Sequence, residues 1–313
     1  MKKVAKYLSL TFALALCVVM AIGCGSESSG SNDVKTPSSV TSGGQDAASK
    51  PTDSVEVTDS SYFTPEITIE EAVLFDQDGI KITAKSFNEK GTFGPEVKLL
   101  IENDSAKSIT VQSRNTSVNG YMVETMMSSD VAAGKKANDS LTLMRSDLET
   151  IGIKIVADIE FGFHIFDSET GDSICDSDMV RIETSAAEGF TYSYDDSGNQ
   201  VYNDNGVEIV VKGLSENDSW LGPAVVVYIH NSGSRDVTVQ TRDVSINGFM
   251  VEPVFSSDVV AGKHAVDTIT FLSSDLEENG IETIESIELS FHVFDMSSWD
   301  SIVDTEPVTI NFN

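Results

Sequence analysis

The chain contains four histidines, three cysteines and two tryptophans among 313 residues. His164 and His292 occupy equivalent places in two FH-aliphatic-FD segments, Phe163–Asp167 and Phe291–Asp295, whereas His230 and His264 stand where the first copy has Glu102 and Lys136. Zinc chemistry needs three or four converging N, S or O ligands, often spaced HxxxH or CxxC. Neither spacing is present, so no metal and no cofactor is expected, and the histidines are expected to pack on a sheet face. No Gly-Xaa-Ser-Xaa-Gly elbow marks a hydrolase nucleophile. A carboxylate pair for glycoside hydrolysis needs a cleft with aromatic walls, and only Trp220 and Trp299 are available for one. The acidic stretches Asp76–Gly79 and Asp167–Asp172 lack the ligand order of an EF-hand loop, and the second copy replaces Glu169 and Gly171 by Ser297 and Trp299. Cys175 aligns with Val303, which points to an inert, buried thiol. The residues that stand out are Trp220 and Trp299, both specific to the second copy and both in loop-like surroundings. Tryptophan in such places is a favoured binding anchor. The expectation is therefore a protein without catalysis that binds through loops.

The first residues read MKKVAKYLSLTFALALCVVMAIGCGS. Lys2, Lys3 and Lys6 precede an apolar run, Leu8 to Ile22, that is too short for a bilayer span, which needs about 20 residues. This is the pattern of an export signal. Ala21-Ile22-Gly23-Cys24 resembles a bacterial lipobox with Ala in place of the commoner Leu. The resemblance implies cleavage before Cys24, lipidation of Cys24, and anchoring to the extracellular face of the cell membrane, with membrane lipid as a partner. Two or more acyl chains are needed for stable anchoring.

The net charge is −30, and loss of three signal-peptide lysines takes it to −33. Nucleic acid is excluded as a partner class, since phosphate binding needs a basic footprint. Cys24 is consumed by lipid, which leaves Cys175 without a partner, so stability must come from core burial. Residues 24–61 are rich in Ser, Gly, Thr and Asp, a composition that buries too little to offset its ordering entropy. A disordered tether is expected there.

Everything after the tether is written twice. Ser117–Glu124 (SVNGYMVE) recurs as Ser245–Glu252 (SINGFMVE), 128 positions later. The same shift relates Gly94-Pro95 to Gly222-Pro223, Asn103 to Asn231, Arg114 to Arg242, and Ala133-Gly134-Lys135 to Ala261-Gly262-Lys263. It also relates Ser146–Glu149 to Ser274–Glu277. Upstream the match slips by one residue. The domains are thus a signal peptide at 1–23, the tether at 24–61, module one at 62–185 and module two at 189–313.

Ile159, Phe161, Phe163 and Ile165 alternate with Glu160, Gly162, His164 and Phe166, the period of a half-buried strand. Asn119-Gly120 and Asn247-Gly248 are type I′ hairpin pairs, since both central positions require positive φ. Ser146 with Glu149, and Ser274 with Glu277, read as capping boxes for one or two helical turns, stopped by Gly152 and Gly280. Short strands separated by turns indicate an all-β fold: two tandem β-sandwich modules, each with a short helical turn. The order of strand, Asn-Gly hairpin, Ala-Gly-Lys loop, short helix and FH-aliphatic-FD strand resembles the immunoglobulin-like modules of Gram-positive surface lipoproteins of uncharacterised function. That resemblance covers about Phe63 to Asn313. It implies a surface binding, adhesion or structural role toward an unknown protein or cell-wall partner. The alternative is a transporter-associated solute- or cation-binding lipoprotein, although the chain lacks the βαβ alternation such lobes need. A surface hydrolase is the least favoured reading. The anchor is directly testable: the mature chain should enter the detergent phase on partition, and Cys24→Ala should move it to the aqueous phase.

Overall fold

The computed structural model describes residues 66–219 and 221–312, together with the backbone of Val34–Lys35 and Ser39–Ser42. The expected export signal, Cys24, Trp220 and most of the expected tether lie outside these residues. The chain is all-β and of sandwich type, with 23 strands and two short helices among the described residues. Among the described residues no helix is long and apolar enough to cross a membrane.

Each module packs a front sheet against a back sheet. In module one the front sheet runs Ala72–Gln77, Ile80–Asn88, Glu96–Asn103, Lys135–Leu143 and Thr125–Met126. Its back sheet is built on Ile109–Val118 and Asp158–Asp167, paired antiparallel from Val118 opposite Ile159 to Ile109 opposite Asp167. The alternation of the FH-aliphatic-FD strand is realised: Ile159, Phe161, Phe163 and Ile165 are all at most 1% exposed. Module two repeats this with Ile287, Leu289, Phe291 and Val293, equally buried.

The shared Asn-Gly phrase makes the same two-residue hairpin in both copies. Val118 pairs with Tyr121 and Ile246 with Phe249. Asn119 and Gly120 have φ of +51° and +87°, and Asn247 and Gly248 have +51° and +86°. The asparagine has a second duty that the turn type does not reveal. Asn119 Oδ1 accepts the amides of Ala157 (2.9 Å) and Asp158 (3.1 Å), and its Nδ2 donates to the Ile155 carbonyl (2.8 Å). Asn247 repeats all three bonds with Glu285, Ser286 and Thr283. The side chain therefore clamps the loop that feeds the FH-aliphatic-FD strand. Glycine is required at Gly94 and Gly222, because a Cβ would come within 1.8 Å of the Leu143 carbonyl oxygen and 2.0 Å of that of Phe271.

One expectation is corrected. The helices are Arg145–Ile151 and Ser273–Glu278, with Met144 and Leu272 at the N-cap positions and no side-chain cap. Ser146 and Ser274 thus sit inside their helices, and no capping box forms. The first helical amides are satisfied by backbone carbonyls of the preceding Gly-Pro loops, Arg145 by Phe93 (3.0 Å) and Ser273 by Leu221 (2.9 Å). Two short segments within the expected tether are described, both as strands. Val34–Lys35 pairs with Leu214 and Ser215, and Ser39–Ser42 pairs with Val308–Asn311. The physical reason lies in the second module. In the first, Ile69 bridges Thr184 and closes the edge beside Val180–Glu183. In the second, the corresponding leading segment is used elsewhere, so the edge of Val308–Asn311 is open to the tether.

That leading segment sits at the junction of the modules. The back sheet of module one and the front sheet of module two are one eleven-stranded sheet, joined by a parallel pairing of Tyr121 with His264. The His264 amide donates to the Gly120 carbonyl at 3.0 Å. The two rings stack at 4.9 Å, and His264 also stacks on His230 at 4.2 Å. Tyr192 and Tyr194, from the connecting segment, meet Tyr121 at 5.3 and 6.3 Å, and Tyr194 stacks on Tyr228 at 5.9 Å. Val210, Val226, Tyr228 and Val266, on the outward face of module two, are buried into the first core. Each such side chain contributes roughly 1.5–3 kcal/mol by leaving water. Lys263 Nζ reaches across to Glu160 Oε2 at 2.8 Å. Both modules belong to one compact unit.

Burial is the main cause that holds the His264 pKa down at about 4, with His230 and Lys263 adding to it and Asp196 opposing it. An undocked histidine takes its proton near 6.5. Between these values the undocked form binds more protons, so docking is fully stabilised above pH 6.5 and weakens as pH falls toward 4. Thermal melts at pH 7.5 and 4.5 should show a drop that His264→Phe, which keeps an uncharged ring, makes smaller. Equal drops in both chains would contradict this assignment.

Candidate functional site

The face of the back sheet opposite the core carries the same polar group twice. His164 Nδ1 lies 2.6 Å from Asp176 Oδ1, and Arg114 Nη1 is 3.8 Å from the same carboxylate. His292, Asp304 and Arg242 repeat this at 2.7 and 3.2 Å. The register explains it: His164 is opposite Asp176 on one neighbouring strand and Gln112 on the other, and His292 is opposite Asp304 and Gln240. Each imidazole rests on the next outward aromatic, Phe166 at 5.4 Å or Phe294 at 5.1 Å. The histidines are thus packing residues with an added carboxylate partner. Sequence reasoning passed over Asp176, Asp304, Arg114 and Arg242 as a group, although all are identical under the 128-residue shift. Chemically the pair orients an imidazole and leaves Nε2 as its remaining hydrogen-bonding atom. Among the described residues no serine, threonine or cysteine is hydrogen-bonded to either ring.

The copies part company in the hairpin that follows. In module one the turn is Ser168–Asp172. Asp167 accepts the amides of Glu169 (2.9 Å) and Thr170 (3.3 Å) and pairs with Lys107 at 3.0 Å, so its carboxylate is engaged by its own turn. In module two Asp295 accepts the Ser297 hydroxyl (2.6 Å) and the amides of Ser297 (2.9 Å) and Ser298 (3.0 Å). The Ser297 hydroxyl is the largest cause of an Asp295 pKa lowered to about 2, followed by the two amides. The anchored turn presents Trp299, which is 75% exposed and stacks on Phe294 at 5.6 Å.

Trp299 has φ of +63°, where its counterpart Gly171 has +75°. A bulky residue in the left-handed region is a true outlier. The turn favours glycine and holds a tryptophan, whose indole lies exposed on the hairpin. His292, Phe294 and Trp299 form a continuous row of rings beside Asp304 and Arg242. Of the two sequence candidates, the structure places Trp299 in this row, and Trp220 lies outside the described residues.

A hollow of about 530 Å³ between the modules is lined by Arg114, Glu124, Asp147, Asp258, Asp267 and Met296, among others. Burial pushes up the carboxyls of Glu124, Asp147 and Asp267, and nearby Asp147 adds to the effect on Glu124 and Asp267. The Glu124 amide donates to Asp147 Oδ2 at 2.7 Å, which ties the hairpin exit to the helix. Among the described residues no three or more metal-ligating side chains converge. Cys175 is half-buried rather than fully buried, and burial raises its thiol pKa, with Asp78 and Asp176 adding to the shift.

No family model matches the chain, and no curated protein matches it. Among solved structures, the YadV chaperone is similar over 68% of this chain and 90% of its own length, at 12% identity and a TM-score of 0.23. A protein of unknown function from Porphyromonas gingivalis W83 is similar over 64% of this chain and 83% of its own, at 13% identity and a TM-score of 0.17. Likenesses at this level carry no argument about function.

The left-handed strain at Trp299 has a measurable signature. For L-residues this conformation costs about 1–2 kcal/mol relative to glycine. Trp299→Gly and Trp299→Ala both lose the stack on Phe294, but only glycine relieves the backbone. The glycine variant should be more stable than the alanine variant by about 1 kcal/mol in denaturant melts, by the same steric argument. Equal stabilities would mean that the turn is unstrained.

Proposed function

We propose that the chain is a non-catalytic surface protein, anchored by lipid at Cys24 on the extracellular face of a membrane. It binds a protein or cell-wall partner through the second module. The observation that carries the binding reading is Trp299: an indole 75% exposed, in a backbone conformation that favours glycine, on a hairpin pinned by Asp295. Strain of this kind persists where the surroundings over-determine it, and it gathers at ligand clamps. The exposed indole of Trp299, backed by the buried Phe294, supplies flat apolar contact, and Arg242 with Asp304 supplies charged donors and acceptors at its side. That pairing suits a partner with both a flat hydrophobic face and polar groups.

The lipoprotein and location readings rest on the N-terminal sequence. A second reading, a transporter-associated solute- or cation-binding lipoprotein, would use the acid-lined hollow between the modules.

Capture of cell-wall and membrane-protein fractions by the purified full-length chain tests the reading. Trp299→Gly, which preserves the turn, should reduce capture about tenfold or more, the scale of one interface anchor. His164→Ala in module one should leave capture unchanged. Undiminished capture by Trp299→Gly would sink the proposal.

A further inference from the structure

The hairpin that joins the modules exists twice, but only one copy is covered. Tyr121 is 6% exposed beneath His264, Tyr192 and Tyr194. Its counterpart Phe249 is 48% exposed, Met250 is 65% exposed, and Val254 beside them is 55% exposed. The hairpins are otherwise alike in register: Ser117 pairs with Met122, and Ser245 with Met250. The Gly120 carbonyl takes the His264 amide, whereas the Gly248 carbonyl has no partner among the described residues. Module two therefore displays, uncovered, the element by which module one holds its neighbour.

We propose that the Phe249–Met250 hairpin docks a third β-sandwich module, supplied by another protein. That module would offer an open edge strand with an outward row of apolar and imidazole side chains. The internal junction defines this chemistry. There, the receiving strands Gly222–Asn231 and His264–Thr270 turn Val226, Tyr228, His230, His264 and Val266 outward, and an edge amide meets the hairpin carbonyl. The partner adds its edge strand in parallel beside Phe249 and donates an amide to Gly248. Its outward row covers Phe249 and Met250.

A second copy of this chain does not fit as it stands. Its own receiving face is already occupied by module one. The corresponding face of module one carries Lys98, Glu102, Lys136 and Asn138, with Glu102 and Lys136 in an exposed ion pair. Covering those groups would strand charges away from water. A lipid surface fits poorly too, because exposed Glu252, Glu282 and Glu285 lie near the hairpin and would meet anionic headgroups.

The test converts the face of module one into the receiving type within the full-length chain. Lys98→Val, Leu100→Tyr, Glu102→His, Lys136→His and Asn138→Val copy the residues of module two. Sedimentation velocity in detergent should then show concentration-dependent head-to-tail association that the unmodified chain lacks. Adding Phe249→Asp and Met250→Asp should weaken that association at least about tenfold, which corresponds to 1.4 kcal/mol. Glu102→His with Lys136→His alone is a milder graft and should shift association in the same direction if the full graft fails to fold. A folded graft that stays monomeric would overturn the proposal. So would association that survives Phe249→Asp with Met250→Asp. Self-association of the unmodified chain through Phe249 would also overturn it, by making a second copy the partner.

Discussion

One parallel bridge, Tyr121 to His264, determines how the rest of the molecule is arranged. A sheet with an open edge is a liability, and each module has edges to cover. The bridge covers one by running the back sheet of module one into the front sheet of module two. Once that join exists, the outward face of the second front sheet is no longer at the surface. This is why Gly222–Asn231 is buried on nearly every residue, whereas Glu96–Asn103 alternates. The same join recruits Tyr192 and Tyr194 to the seam, and that leaves the edge of Val308–Asn311 for Ser39–Ser42 to pair with. The pairing of Ser39–Ser42 thus depends on a contact made far from it in sequence.

The seam is also the part of the fold most exposed to chemical conditions. Hydrophobic burial at Val210, Val226 and Val266 is indifferent to pH, but the imidazole between Tyr121 and His230 is not. Its neutral form packs as an aromatic ring and hydrogen-bonds the Tyr228 hydroxyl at 2.8 Å. Its charged form would sit beside Lys263 and a second imidazole. The Lys263–Glu160 pair helps hold the modules in register, with the modest contribution expected of a partly exposed ion pair, about 1 kcal/mol or less.

Much of the fold was legible in the sequence, because a duplicated chain states its folding signals twice. Period-2 alternation located the FH-aliphatic-FD strands, and Asn-Gly located the hairpins. What the sequence did not disclose was any contact between distant residues. The clamp made by Asn119 on residues 155–158 looks like a turn preference until the loop is seen beside it. The capping boxes failed because backbone carbonyls of the Gly-Pro loops reach the helix starts first. The Asp176–His164–Arg114 group required the pairing of three strands, which no local pattern encodes. The run Val225–Ile229 departs from alternation, and a cover on both faces is its explanation.

The copies are most informative where they disagree, because both backbones impose the same constraints. Glu102 and Lys136 became His230 and His264 where a face is covered by a neighbour. Tyr121 became Phe249 where the cover is missing, and the loss of its hydroxyl fits that change. Tyr121 uses its oxygen to accept the Tyr194 amide at 3.1 Å, a donor that Phe249 does not meet. An aromatic side chain that sheds its polar handle yet stays apolar and exposed is poorly explained by solvation alone. Trp299 stands where the first copy has Gly171, against the preference of the backbone. Folding therefore accounts for what the two modules share. At the seam, contact with the other module accounts for where they differ.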